Sequence, residues 1–299
     1  MHLLKMSDLK KADIDGLIER AVYIKGRLKR GILYSPLKTR TLGLIFEKPS
    51  TRTRVSFECA MMQLGGSTVF VSSADSQLGR GEPIKDTARV MSGYVDGVVI
   101  RTFGHERVEE FARYSSVPVI NGLTDLHHPC QVLADIMTVV ERKGSYGGIK
   151  VAWIGDGNNV ANSWIEAAGI LGFELVLACP VGYEPQKDVL RGAGKSVKLG
   201  RTVEEAAKDA DVLNTDVWAS MGQEGEREKR LKAFRGYQIN AKVLRLAKKD
   251  AVVMHCLPAH RDEEITDDVI EGPNSAVWQE AENRLHVQKA VLERLLGDK

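Results

Sequence analysis

The chain alternates short apolar segments with helical patterns in two successive series, and this alternation constrains its fold more than any other feature. In each series, apolar runs short enough for buried strands are separated by segments with helical spacing. The runs lie at 41–46, 68–71, 98–100 and 117–120, and then at 151–154, 175–178, 212–215 and 251–254. Such alternation is typical of parallel α/β sheets. The sequence therefore predicts two α/β domains, each a parallel sheet flanked by helices.

The glycine-rich segment 144–148 separates the two series and is the best candidate for a linker. It follows a helical pattern at 129–143, which gives a first domain of residues 1–143 and a second of residues 149–278. A strong helical pattern covers the remaining residues, about 279–299, and we expect this helix to pack back on the first domain. A length of 299 residues agrees with two domains.

Charge and cysteine usage exclude several classes of protein. Forty-two Lys and Arg residues are interspersed with 40 Asp and Glu residues, for a net charge of +2, so neither nucleic acid nor an anionic membrane is an expected partner. No apolar run approaches the ~20 residues of a membrane span, and residues 1–11 lack a signal-peptide pattern. The cysteines, Cys59, Cys130, Cys179 and Cys256, lie far apart, which favours a reducing cytoplasm over a disulfide framework.

The segment S-T-R-T-R at 50–54 has the features of a phosphate site. Ser50 occupies the N-cap position of a predicted helix that follows a predicted strand. The N-terminus of a helix offers unpaired N–H groups and a positive dipole to an anion. Arg52 and Arg54 add guanidinium groups that bind phosphate oxygens in pairs. The alternative is a capped helix whose arginines face water.

Polar clusters follow the predicted strands, where open parallel sheets bind their ligands. They lie at 50–54, 101, 121–129, 155–159, 216–222 and 255–261. A cleft between two such domains would gather all six, and we expect the active site there.

Two other enzyme classes remain open. Gly155 and Gly157 resemble a dinucleotide-binding fingerprint, but Val160 replaces its third glycine and no acidic residue ends the next strand. A zinc hydrolase is the second class, since six histidines and cysteines stand near strand ends: His127, His128, Cys130, His255, Cys256 and His260. Their spacing matches neither H-E-x-x-H nor C-x-x-C, and buried histidines and cysteines usually serve packing.

Five motifs together resemble the transcarbamoylase family, which comprises the aspartate and ornithine carbamoyltransferases. They are S-T-R-T-R, H-P-C-Q, D-G-N-N, D-x-W-x-S-M-G and H-C-L-P-A-H-R, in that order along the chain. The S-M-G and H-C-L-P elements are similar to the ornithine branch. The resemblance implies a carbamoyl phosphate domain followed by an ornithine domain in a catalytic homotrimer, with a higher assembly of trimers as the alternative. It also implies transfer to the δ-amine of ornithine, which gives citrulline and phosphate in arginine biosynthesis or the urea cycle.

The resemblance also assigns roles to individual residues. Those implied to bind carbamoyl phosphate are Ser50, Thr51, Arg52, Thr53, Gln77, Arg101, His128, Gln131, Cys256, Leu257 and Arg284. Those implied to take part in catalysis are Thr53, Arg101, His128 and Cys256, and those implied to bind ornithine are Asn159, Asp216, Ser220 and Met221. Gln77 would reach carbamoyl phosphate across the trimer interface. No metal and no organic cofactor is implied.

Two further alternatives concern the substrate. The acceptor could be another amine, such as putrescine or N-acetylornithine. The chain could also be an inactive member that binds a metabolite, although Arg52, Arg101 and His128 are all present.

Overall fold

In a computed structural model of the chain, nine strands among the described residues form two separate parallel sheets. The structure describes residues 1–72, 77, 81–200, 202–219 and 224–297. In the first sheet the strands lie in the order 67–72, 41–46, 97–101, 119–123. In the second sheet the order is 197–199, 174–178, 150–154, 212–215, 252–255. All strand pairs are parallel. The predicted fold class, two parallel sheets flanked by helices, is confirmed.

Contacts divide the chain into two units. Unit 1 contains residues 1–134 together with the residues from Asn283 onward, and unit 2 contains Asp135–Glu282. The boundaries thus fall inside two helices. The predicted domain limits, 1–143 and 149–278, stay predictions.

Unit 1 contains the four-stranded sheet and the helices that connect its strands. The strands are β1 (Thr41–Phe46), β2 (Ser67–Ser72), β3 (Gly97–Arg101) and β4 (Val119–Leu123). The helices are α1 (Lys11–Lys29), α2 (Thr51–Gln63), α3 (Ile84–Ser92), α4 (His105–Tyr114) and the first part of α5 (Pro129–Lys143). Between the sheet and α3 and α4 lies an apolar core that includes Ile45, Val98, Val108 and Phe111.

The last helix of the structure, α12 (Val277–Leu296), contributes its C-terminal part to unit 1. Glu293 of this helix accepts two hydrogen bonds of 2.7 Å from the guanidinium of Arg20 in α1. Asn283 accepts a bond of 2.7 Å from Lys25, also in α1. These contacts bring residues from opposite ends of the chain into one unit.

Unit 2 contains the five-stranded sheet. Its strands are β5 (Lys150–Ile154), β6 (Glu174–Ala178), β7 (Val197–Leu199), β8 (Val212–Thr215) and β9 (Val252–His255). Its helices include α6 (Asn159–Leu171), α7 (Lys187–Gly192), α8 (Val203–Ala207), α9 (Arg227–Ala233), α10 (Ala241–Leu244) and α11 (Asp267–Ile270). Strand β7 was not predicted from the sequence, because it has only three residues and lies at the half-exposed edge of the sheet.

Strand register brings polar residues together at the carboxyl end of each sheet. In unit 1, Phe46 of β1 pairs with Arg101 of β3, so the residues that follow β1 lie beside Arg101. In unit 2, Thr215 of β8 pairs with His255 of β9, so Asp216 and Cys256 come next to each other. Among the described residues, no helix is long and apolar enough to cross a membrane.

Candidate active site

The phosphate motif of unit 1 lies at the start of α2, as the sequence predicts. Ser50 has extended backbone, and its Oγ accepts a hydrogen bond of 3.2 Å from the N–H of Thr53. This is the N-cap bond expected of a serine that precedes a helix. Thr51 and Arg52 are exposed in the first turn, whereas Thr53 is buried. An anion at this N-terminus would therefore meet backbone N–H groups and the Arg52 side chain together.

Arg54 has a different environment from the one its motif suggests. Its Nε donates a hydrogen bond of 2.9 Å to Glu58, one turn along the same helix. Its guanidinium carbon lies 3.7 Å from the centre of the Phe70 ring, on the neighbouring strand β2. The side chain thus stacks on β2 and pairs with its own helix, so the expectation that Arg54 grips phosphate is not supported.

Arg284 of α12 joins three polar side chains of unit 1. Its Nη1 donates to Gln131 Oε1 at 2.6 Å and to His128 Nε2 at 3.2 Å, and its Nη2 donates to Thr53 Oγ1 at 3.1 Å. We call Thr53, His128, Gln131 and Arg284 the Arg284 cluster. All four side chains are buried. The structure therefore brings together residues that are up to 231 positions apart in the chain.

Burial and two neighbouring arginines keep the His128 ring neutral. Burial, then the positive charges of Arg284 and Arg101, hold the pKa of His128 well below its usual range. The imidazole is therefore neutral at physiological pH, and one of its nitrogens carries a proton. Because Nε2 accepts from Arg284, we assign this proton to Nδ1. The ring can donate one hydrogen bond without becoming a cation.

The other residues of the H-H-P-C segment serve packing. The ring of His127 meets that of His105 edge to face, with centroids 4.8 Å apart, and burial lowers the pKa of His127 to about 3. Cys130 is fully buried, and burial raises the pKa of its thiol to about 12. Since a metal binds the thiolate form of cysteine, the protonated Cys130 thiol would have to lose its proton to coordinate zinc.

Asp216 is the centre of the polar residues in unit 2. Its Oδ2 accepts a hydrogen bond of 2.7 Å from Asn158 Nδ2, and its Oδ1 accepts from the Cys256 thiol at 3.1 Å and from the N–H of Val217 at 2.8 Å. We call Asn158, Asp216 and Cys256 the Asp216 cluster. Burial, then the charges of Asp216 and Glu280, hold the pKa of Cys256 well above its usual range. Cys256 is therefore a neutral thiol rather than a thiolate nucleophile.

Asn158 is a member of this site that residue-by-residue assignment missed. The resemblance assigns ornithine binding to Asn159, the first residue of α6, and this assignment stays a prediction. In the structure, Asn158 donates a hydrogen bond to Asp216. Oδ1 of Asn158 also caps α6, since it accepts from the N–H groups of Val160 and Ala161 at 3.0 and 3.2 Å. The D-G-N-N motif contains both asparagines and does not distinguish them. The structure does, since Asn158 is the N-cap of α6 and Asn159 is the first residue of the helix.

Gly157 shows why the fingerprint-like glycines are present. A Cβ atom at this position would lie 2.2 Å from the backbone N of Pro185 and 2.4 Å from the carbonyl carbon of Glu184. Only glycine fits there, because real side-chain carbons do not approach backbone so closely. The close approach is to the chain's own loop after β6, which accounts for the glycine without a dinucleotide.

Hydrogen bonds with buried side chains stabilise the H-C-L-P turn of unit 2. His255 Nδ1 accepts a hydrogen bond of 2.9 Å from the N–H of Leu257, and His255 Nε2 lies 3.0 Å from Glu264 Oε1. Leu257 has a φ of 59°, in the left-handed region that costs a residue with a side chain about 1–3 kcal/mol. Neither His255 nor Glu264 was assigned a role in the turn from the sequence.

Within the described part of the chain, two groups of side chains have the composition of metal ligands. Asp216, His255 and Cys256 offer donor atoms within 4.8 Å of one another, as do His260, Glu263 and Glu264. In the first group both imidazole nitrogens of His255 and the thiol of Cys256 already form hydrogen bonds to protein atoms. A metal would have to replace those bonds.

The remaining assigned residues are described only in part. Gln77 is exposed, and its carbonyl oxygen accepts a hydrogen bond of 3.0 Å from the N–H of Glu82. Ser220 and Met221 lie outside the described residues.

Two family models cover nearly the whole chain. The carbamoyl-P binding domain of aspartate/ornithine carbamoyltransferase matches residues 1–141, and the Asp/Orn binding domain of the same family matches residues 147–295. With the two parallel sheets and the arginine-rich site of unit 1, these matches define the class: the chain belongs to the aspartate/ornithine carbamoyltransferase family.

Individual relatives point to one branch of this family. The chain is 60% identical to an ornithine carbamoyltransferase of Geobacter sulfurreducens over 99% of both sequences, and 57% identical to that of Desulfotalea psychrophila, again over 99% of both. Its structure is similar to the ornithine carbamoyltransferase of Pyrococcus furiosus, with a TM-score of 0.96 and 52% identity, covering 100% of this chain and 98% of that one. The anabolic enzyme of Campylobacter jejuni gives a TM-score of 0.93 at 45% identity and 98% coverage of both chains.

Proposed function

We propose that the chain is an ornithine carbamoyltransferase. It transfers the carbamoyl group of carbamoyl phosphate to the δ-amine of L-ornithine, and the products are L-citrulline and phosphate. The observation that carries this proposal is the Arg284 cluster, in which a buried guanidinium orients Thr53, His128 and Gln131 beside the N-terminus of α2. The full-length similarity to ornithine carbamoyltransferases supports the same activity.

The phosphate of carbamoyl phosphate binds at the start of α2. Ser50, Thr51, Arg52 and Thr53 supply hydroxyl, backbone and guanidinium donors there. Arg101 lies at the end of β3, beside the last residue of β1, and adds a second charge. These groups hold the substrate and stabilise the phosphate as it leaves, because the positive charges are in place before the reaction begins.

The carbamoyl group lies against the rest of the Arg284 cluster. Its carbonyl oxygen accepts hydrogen bonds from Thr53, Arg101 and His128, and His128 donates as a neutral ring. The carbamoyl NH₂ group donates to Gln131 Oε1, which Arg284 orients by a bond of 2.6 Å. It also donates to the backbone oxygens of Cys256 and Leu257. Attack on the carbonyl carbon places negative charge on the oxygen, where these donors stabilise it.

Ornithine binds through unit 2. Asp216 accepts the α-ammonium group, and Asn158 fixes the orientation of the Asp216 carboxylate by a bond of 2.7 Å. Asn159, Ser220 and Met221 complete the amino acid site, and the neutral Cys256 thiol lies near the δ-amine. The δ-amine must lose its proton before it attacks, since an ammonium group has no lone pair. The transfer is direct and uses no metal and no organic cofactor.

The assembly and setting of the enzyme are part of the same proposal. We propose a homotrimer in which Gln77 of one subunit contacts carbamoyl phosphate bound by its neighbour. Arginine biosynthesis in the cytoplasm is the setting that the family favours. The urea cycle is not part of this proposal, because the two curated relatives named above are bacterial.

One assay tests the proposed reaction. Purified protein is given carbamoyl phosphate with ornithine, putrescine, aspartate or N-acetylornithine, and the carbamoylated product is measured. We expect citrulline to form with ornithine at a kcat/KM far above that for the other acceptors. A preference for putrescine or N-acetylornithine would support another member of the family. Activity with none of the four would contradict the proposal, provided that calorimetry shows a cooperative unfolding transition.

A further inference from the structure

A buried polar network underlies the turn that follows β9. His255 and Glu264 are 1% and 0% exposed, although both carry polar groups that prefer water. His255 Nε2 lies 3.0 Å from Glu264 Oε1, and the same oxygen accepts the N–H of His260 at 2.6 Å. The backbone N–H of His255 donates to Glu280 Oε2 at 2.8 Å. Three buried side chains thus hold both ends of the turn.

The network fixes the protonation of the His255 ring. Nδ1 accepts a hydrogen bond of 2.9 Å from the N–H of Leu257, so it carries no proton. Nε2 faces a carboxylate oxygen of Glu264, so it carries the proton and donates. A carboxylate that holds one ring nitrogen determines the tautomer and the orientation of the whole imidazole. Glu264 therefore aims the Nδ1 lone pair at the Leu257 amide.

The bond from Leu257 has a particular role because of the backbone conformation there. Leu257 has a φ of 59°, which a residue with a side chain adopts only when its surroundings impose it. The His255 ring accepts the N–H of this residue and so stabilises that conformation. The peptide group that joins Cys256 to Leu257 then has a fixed direction, and it carries the carbonyl oxygen of Cys256. The backbone angles of Leu257 place the next peptide group, which carries the Leu257 oxygen, relative to this one.

We propose that His255, oriented by Glu264, is a positioning residue that makes the enzyme select carbamoyl phosphate over acyl phosphates without an NH₂ group. The proposal rests on the proposed function, in which those two carbonyl oxygens accept the carbamoyl NH₂ protons. A site built to hydrogen-bond a substrate group rejects an analogue that lacks it, because its own polar groups then stay unsatisfied. The selection requires that the oxygens point at the NH₂ group.

Acetyl phosphate is the matched probe, because a methyl group replaces the NH₂ group and the phosphate is unchanged. The affinities of both compounds are measured by calorimetry, which does not depend on turnover. Wild-type protein should bind carbamoyl phosphate more tightly than acetyl phosphate. His255→Gln can still donate to Glu264 but offers no acceptor at the Nδ1 position. In this variant the ratio of the Kd for acetyl phosphate to the Kd for carbamoyl phosphate should fall about tenfold, which is the scale of one or two neutral hydrogen bonds.

Two matched variants keep one part of the network. His255→Asn places its Oδ1 near the Nδ1 position and can accept from Leu257, so its preference should stay within about threefold of wild type. Glu264→Gln keeps an acceptor for the His255 ring and should behave likewise. Glu264→Leu removes that acceptor and should lower the preference as His255→Gln does. It gives a second test of the loss if one variant fails to fold.

The outcomes separate this inference from the proposed function. An unchanged preference in folded His255→Gln or Glu264→Leu protein would overturn the inference and leave the transfer reaction intact. An equal loss of affinity for both phosphates would mean general damage to the site, and it would also overturn the inference. Absence of citrulline formation by the wild-type protein would instead contradict the proposed function. A rise in KM for carbamoyl phosphate in His255→Gln, with an unchanged inhibition constant for inorganic phosphate, would support positioning of the carbamoyl group.

Discussion

Replacement of Lys289 by methionine should stabilise the protein at neutral pH. Lys289 lies on α12 and is only 2% exposed. Burial lowers the pKa of its ammonium group from 10.5 to about 8, and the structure gives it no carboxylate partner among the described residues. At about 1.36 kcal/mol per pH unit, this difference corresponds to roughly 3 kcal/mol of destabilisation when the folded protein holds the charged form. Methionine has a similar length and no charge to desolvate.

The sign of the pH dependence follows from the lowered pKa. Between pH 8 and 10.5 the unfolded chain holds a proton on Lys289 that the folded protein has released, so stability rises with pH across this window. The cost of the charge is fully present below pH 8 and absent above 10.5. The advantage of Lys289→Met should therefore be about 3 kcal/mol at pH 7 and only about 1 kcal/mol at pH 10.

Calorimetric melting temperatures at pH 7 and pH 10 test this reasoning. For a unit of this size, 1 kcal/mol corresponds to roughly 2–4 °C in Tm. The exposed Lys38, replaced by methionine, is the matched control and should change Tm little at either pH. A lower Tm for Lys289→Met at pH 7 would refute the argument. So would a gain of equal size at both pH values, since it would come from packing alone.

The remaining predictions concern activity. Arg101→Ala and His128→Ala should each lower kcat by on the order of a hundred- to a thousandfold with little change in melting temperature, and near-normal turnover in both would contradict the assigned carbonyl site. The kcat/KM for ornithine should rise from neutral to alkaline pH as the free amine accumulates, and a flat profile would argue against amine deprotonation. This profile should show no step near pH 6.5 from His128, because the pKa of His128 is held well below that value. Asn158→Ala should raise KM for ornithine about tenfold and leave KM for carbamoyl phosphate unchanged, which steady-state kinetics with each substrate varied can check. Mixing dissociated Gln77→Ala and Arg52→Ala subunits should restore some activity if sites are shared between subunits, and no recovery in mixed trimers of verified mass would exclude such sharing.

The parts of the fold that the sequence predicts well depend on local interactions. The cap of α2 requires only that Ser50 meet the N–H of Thr53, three residues later, and this bond is present. Helix α12 repeats its apolar positions over 20 residues, and its existence is clear from that spacing. Strand β7 has three residues and no such repeat, so nothing in its sequence separates it from a loop.

The parts of the site that could not be predicted depend on tertiary contacts. Arg54 has the same residue type as Arg52 and lies two positions away, but its guanidinium stacks on the ring of Phe70, which comes from strand β2. The pairing of Arg284 with Thr53 also depends on the fold, since the two residues are 231 positions apart. The resemblance implied that Arg284 belongs to the site, but which atoms it contacts required the structure.

The discontinuous composition of unit 1 has a consequence for biosynthesis. Unit 2 is a single stretch, Asp135–Glu282, so all of its residues have been synthesised before Asn283 is added. Unit 1 begins with the first residues but needs those from Asn283 onward, which include Arg284. Domains generally fold as units as the ribosome produces them. We therefore expect unit 1 to begin folding before unit 2 and to finish after it. Its anion site would be complete only when α12 has left the ribosome.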